Sequence, residues 1–113
     1  MHEVGIMMNT LEAAEKAARS SGATRIHELR LRIGGMTGVV PAALESAFEV
    51  VRQGPLAAEA RLTIECVPAS CWCGHCQEEF TSEDLLSECP RCHESSGELR
   101  RGLELEIASL EVS

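Results

Sequence analysis

Cys73-Gly74-His75-Cys76 and Cys89-Pro90-Arg91-Cys92 are two Cys-x2-Cys turns with twelve residues between them, and their reading decides the fold. A structural Zn²⁺ takes four tetrahedral ligands, and each turn presents two thiolates, so Cys73, Cys76, Cys89 and Cys92 close one coordination shell. Twelve residues suffice for two short strands and a turn, which outlines a zinc ribbon. Other readings compete. A disulfide framework would need an oxidising compartment, and the N-terminus shows no basic segment leading into an apolar one that would take the chain there. A thioredoxin-like redox pair expects one such motif, and here there are two. Four unrelated buried cysteines would leave the paired spacing without a reason.

Around this motif the chain is small. Of its 113 residues about thirty belong to the ribbon region, and the roughly 80 that remain stand near the lower limit for a self-sufficient core. A composition of 44% hydrophobic and 25% charged residues is that of an ordinary globular protein, and no apolar run approaches the roughly 20 residues of a membrane span. The expectation is a cytoplasmic protein without a membrane partner. The formal net charge of −8 argues against nucleic acid, which asks for a basic footprint to neutralise phosphates. The spacer Gln77–Glu88 sharpens this, with five acidic residues and neither lysine nor arginine. It reads as a solvated loop in preference to an acidic docking surface.

Outward from the ribbon, the periodicity changes element by element. Met7, Leu11, Ala14 and Ala18 repeat at helical spacing within Val4–Ser21, and Gly22 supplies a stop. The Met7-Met8 pair is expected to fill core, not to act as soft metal ligands. From Thr24 the period falls to two, placing His27, Leu29, Leu31 and Ile33 on one face of a strand that ends at Gly34-Gly35. His27 on that face reads as a hydrogen-bonded structural residue. A second helix runs from Pro41, favoured at a first helical position, to about Gln53, with Leu44, Ala47, Phe48 and Val51 inward. Arg61–Cys66 alternates again, with Leu62, Ile64 and Cys66 inward.

Leu103, Leu105 and Ile107 alternate with glutamates after the ribbon, and a phase change at Ala108 implies a bulge or strand end. A thirty-residue ribbon cannot bury such a strand, so it should return to the first domain and pair near Leu62–Cys66. The expected fold is α+β: two helices packed on one face of a small mixed sheet, with an inserted zinc-ribbon domain. Residues 1–66 plus 102–113 would form the α+β domain and residues 67–101 the ribbon. Cys71, two residues before the first turn, reads as a spare thiol beside a full shell. His75 and His93, and Cys71 with them, lie where they could hydrogen-bond the metal's ligands from outside the coordination shell.

Met1-His2-Glu3, the two helices, Cys71-Trp72-Cys73-x2-Cys76, Cys89-Pro90-Arg91-Cys92-His93 and the acidic final strand stand together in an order that resembles the HypA/HybF family of hydrogenase nickel-incorporation proteins over essentially the whole length. The resemblance implies a nickel metallochaperone that delivers Ni(II) to the large subunit of [NiFe]-hydrogenase, sometimes to urease, with urease maturation proteins then among its partners. It also implies a HypB-like GTPase partner and Zn(II) held structurally by the four cysteines, while a monomer and a homodimer are both compatible with the sequence. His75, inside the first turn, departs from the family arrangement linked to histidine-driven zinc changes. Nickel is then expected at Met1, His2 and Glu3, through the terminal amine, the backbone nitrogen and imidazole of His2, and the backbone nitrogen of Glu3. The amine, the next amide nitrogen and the imidazole close contiguous small chelate rings, and nitrogens in a plane suit square-planar Ni²⁺.

Two further classes remain. A zinc-ribbon adaptor would need the ribbon but not the N-terminal tripeptide. A redox protein would exchange disulfides through Cys71 and Cys73 or one of the turns. The chain has no phosphate-cradling Gly-x4-Gly-Lys loop, and a closed zinc shell leaves no position for a catalytic water, so no enzyme is expected.

Overall fold

A computed structural model of the chain describes residues 2–82 and 87–113. Helix α1 spans Glu3–Ser20, strand β1 Ile26–Gly34, helix α2 Pro41–Val51, strand β2 Arg61–Val67, strand β3 Ser70–Cys73, strand β4 Glu78–Thr81, strand β5 Leu99–Arg101 and strand β6 Leu105–Val112. The strands form two three-stranded sheets, ordered β2-β1-β6 and β4-β3-β5. The chain divides into two compact units: residues 1–32, 38–65 and 106–113, and residues 33–37 and 66–105.

In the first unit α1 buries Met7, Leu11, Ala14 and Ala18, the four positions its period selects. Met8 is 57% exposed, contrary to the core role expected for it, because one residue along a helix turns a side chain about 100° away from its neighbour. Gly22, at φ 81°, supplies the left-handed turn that ends this helix region. Helix α2 packs on α1 and buries Leu44, Ala47 and Phe48, while Val51 in its last position is only half-buried. Leu29 and Leu31 of β1 are buried beneath this layer. Ile26, Leu56, Ala57 and Ala60 complete the apolar interior, three of them from the loop that follows α2.

The first sheet is mixed. Gly35 N–H donates to Val67 O near one end of β1 and Thr63 donates to Glu28 near the other, so β1 and β2 run in parallel. Gly34 N–H donates to Glu104 O and Ser113 N–H to Arg25 O, so β6 runs antiparallel to β1. The returning strand therefore pairs with β1, not with the Leu62–Cys66 region, and the ribbon is inserted between the two edge strands. Leu105 and Ile107, expected to be inward, are 47% and 37% exposed, because β6 is an edge strand with a neighbour on one side only. No strand end separates them from Ala108, Leu110 and Val112: β6 is one strand, and its two apolar phases point to opposite faces. Cys66 is exposed, not buried, lying near the end of the other edge strand.

The second unit is built on β3, which pairs antiparallel with β4 and with β5. Among the described residues, the spacer between the two cysteine turns supplies one strand of the hairpin, β4; the other, β3, ends at Cys73, so the first cysteine turn is itself the hairpin turn. Two glycines permit a close backbone crossing here. A Cβ on Gly34 would fall 2.2 Å from the carbonyl of Gly102, and Gly102 itself adopts φ 126°. Met36 N–H donates to Gly102 O across this crossing.

Candidate metal centre

The four sulfurs of Cys73, Cys76, Cys89 and Cys92 lie within 4.8 Å of one another. Tetrahedral Zn²⁺ with Zn–S bonds of about 2.3 Å places its sulfurs about 3.8 Å apart. The Cys73–Cys92 and Cys76–Cys89 separations of 3.5 and 3.9 Å bracket that value, so the residues fit the ion. Each turn is followed by a residue in the left-handed region, Gln77 at φ 56° and His93 at φ 66°. This folds the chain back so that amides approach the first sulfur of a pair, as Cys76 N–H does to Cys73 Sγ at 3.3 Å. The second turn is closed by Cys89 N–H donating to Glu94 O and His93 N–H donating to Cys89 O.

Electrostatics show why such a set wants a cation. The backbone N–H groups of Cys92 and then Arg91 draw the Cys89 thiol down to about 6. Burial, followed by the neighbouring sulfurs, pushes Cys76 up to about 12. Four thiolates cannot share this space unaided, and a dication lets all of them ionise.

Cys71 is buried in the same small cluster as Cys73, Phe80 and Cys89, and its thiol donates to Ser87 Oγ at 3.6 Å, outside the four-sulfur group. His75 is exposed within the first turn. His93 is exposed too, its Nδ1 2.9 Å from Glu88 Oε1, one residue before Cys89. His27 is half-buried and bonds Ser113 Oγ through Nε2 at 2.7 Å. Among the described residues, no group of three or more His, Cys, Asp or Glu side chains other than the four cysteines is arranged to hold a metal.

At the other end of the sequence, Met1 lies outside the described residues. His2 is exposed at the N-cap of α1, and its side chain makes no capping bond. The first intrahelical bond is Ile6 N–H to His2 O, so the amides ahead of it have no backbone carbonyl to pair with inside the helix. Glu3 turns its carboxylate to the backbone N–H of Val40 at 3.1 Å. That N–H, and then the residue's own, hold the Glu3 carboxyl below the usual carboxylate range. The acidic spacer is described only in part, since Glu83 and Asp84 also lie outside the described residues.

A parallel–antiparallel sheet layered with two helices, followed by a small sheet that gathers four cysteines, defines an α+β protein with a zinc-ribbon-like metal centre. The family model described as "Hydrogenase/urease nickel incorporation, metallochaperone, hypA" matches residues 1–112. The chain is 49% identical over 112 residues to the hydrogenase maturation factor HypA of Picosynechococcus sp., and 40% identical over 113 residues to that of Chloroflexus aurantiacus, covering 99% of each chain in both cases. Its structure is similar to the solution structure of the Ni metallochaperone HypA from Helicobacter pylori, with a TM-score of 0.69 at 25% identity, covering 99% of this chain and 97% of that one. The chain belongs to the HypA family of hydrogenase and urease nickel-incorporation metallochaperones, carriers of metal and not enzymes.

Proposed function

We propose that this chain binds Ni(II) at Met1, His2 and Glu3 and hands it to the large subunit of a [NiFe]-hydrogenase in the cytoplasm, together with a HypB-like GTPase. The observation that carries the reading is the start of α1. An exposed imidazole stands at the N-cap with its side chain unused, beside first-turn amides that precede the first helical hydrogen bond. Nickel can recruit those nitrogens without breaking the helix, each ligating amide giving up its proton to solvent, and a planar nitrogen set favours Ni²⁺ over Zn²⁺, which has no such geometric preference. Residues 1–66 plus 102–113 serve in this reading as the nickel-binding domain and residues 67–101 as the zinc-ribbon domain. Zn(II) on Cys73, Cys76, Cys89 and Cys92 supplies a cross-link that the small apolar cluster of Cys71, Cys73, Phe80 and Cys89 needs in order to hold its fold. With its shell closed by four thiolates, zinc is left with a structural part to play.

The test is a titration of Ni²⁺ into zinc-loaded protein, followed by visible absorption, with zinc measured afterwards. One nickel per chain should bind with a square-planar spectrum while zinc is retained, and His2→Ala should abolish that spectrum. Nickel that displaces zinc, or that binds the His2→Ala protein unchanged, would place the cargo at the cysteines or elsewhere.

A further inference from the structure

A capping box is ordinarily made within one helix, where a Glu or Gln at the third position reaches back to the backbone N–H of the N-cap residue. Helix α2 cannot build one. Its N-cap is Val40, with no side-chain acceptor, and its third residue is Ala43. The Val40 N–H is received instead by Glu3 Oε2, 37 residues upstream in the first turn of α1. One carboxylate thus caps the start of the second helix while belonging to the start of the first, and it ties down a terminus that would otherwise fray.

This matters for nickel because the backbone nitrogen of Glu3 is among the proposed ligands. We propose that the Glu3 side chain is a positioning residue for the N-terminal nickel site: clasped to the Val40 N–H, it fixes the backbone nitrogens of His2 and Glu3 for the metal without itself ligating. The role rests on the N-terminal reading of the nickel site given above. It depends on an acceptor oxygen and not on charge. Glutamine keeps the acceptor at the same reach; alanine removes it. Outer partners that orient metal ligands typically cost about 10–100-fold in affinity when lost, and that is the scale expected for Glu3→Ala.

The experiment uses full-length, zinc-loaded protein in four forms: parent, Glu3→Ala, Glu3→Gln and His2→Ala. Nickel affinity is measured by calorimetry, and protection of the Val40 amide against hydrogen exchange is measured by NMR before nickel is added. Glu3→Ala should lose Val40 protection and weaken nickel binding about 10–100-fold, whereas Glu3→Gln should keep both close to the parent. Glu3→Gln binding nickel as weakly as Glu3→Ala would show that the carboxylate acts by charge or ligation, and overturn the positioning role. So would Glu3→Ala that loses protection yet binds nickel like the parent. His2→Ala separates the two levels: unchanged nickel affinity there overturns the N-terminal site and this role with it, while weakened binding in His2→Ala but not in Glu3→Ala overturns the positioning role alone.

Discussion

Phe48→Ala tests whether the first unit depends on the helix face that its sequence period selects. Phe48 is 2% exposed, so truncation removes a fully buried ring and leaves a cavity lined by neighbours already fixed in place. A Phe→Ala change of this kind costs about 3–5 kcal/mol. The Arg52 guanidinium over the ring, 5.0 Å from its centroid, adds little to that figure, because Arg52 remains held by Ala60 O and Glu49. A unit of about 70 residues has a total stability on the order of 3–10 kcal/mol, so the loss is a large share of it. At about 4–8 °C per kcal/mol the melting temperature should fall by about 12–40 °C. The assay is a thermal melt followed by helical circular dichroism, with Val50→Ala as control, since Val50 is 70% exposed on the same helix. Zinc content should not change, because the four cysteines belong to the other unit. A shift of less than about 4 °C, or one no larger than that of Val50→Ala, would refute the burial argument.

Removal of a zinc ligand should be equally local. Cys73→Ala should abolish stoichiometric zinc and unfold the ribbon unit while most of the helical signal persists, and a chelator should do the same to the parent; undiminished, chelator-resistant zinc in Cys73→Ala would remove Cys73 from the site. Gly34→Ala should destabilise by at least about 1–3 kcal/mol, since its methyl would have to displace the Gly102 backbone and no side-chain adjustment can make room. A denaturant midpoint equal to that of the parent would show that the two segments are not in contact.

Local periodicity made the buried stripe of α1 legible to the residue, because a helix with one buried stripe writes that stripe at a fixed spacing: Met7, Leu11, Ala14 and Ala18 are the residues it buries, although the helix runs over Glu3–Ser20 and not Val4–Ser21. The cysteine turns were legible for a similar reason, their spacing being set by a single ion. What failed was non-local. Which strand lies beside β6 depends on chain connectivity and not on alternation, and the exposure of Leu105, Ile107 and Cys66 follows from edge position, which no local pattern encodes. Strand β5, three exposed residues long, has no pattern to read. The left-handed residues that follow each cysteine turn are Gln77 and His93, where glycine would have marked the conformation. The Glu3–Val40 bond joins residues 37 apart and leaves no trace in either neighbourhood.

The central claim is that nickel is held by the N-terminal tripeptide through the amine of Met1. Adding a single residue ahead of Met1 converts that amine to an amide and leaves every side chain as it was. Nickel affinity and the square-planar absorption of the zinc-loaded protein should then fall as far as they do in His2→Ala, with zinc content and melting temperature unchanged. An extended protein that binds nickel with the parent's affinity and spectrum would contradict the claim and place the metal elsewhere, with His27, His75 and His93 as the imidazoles left to test.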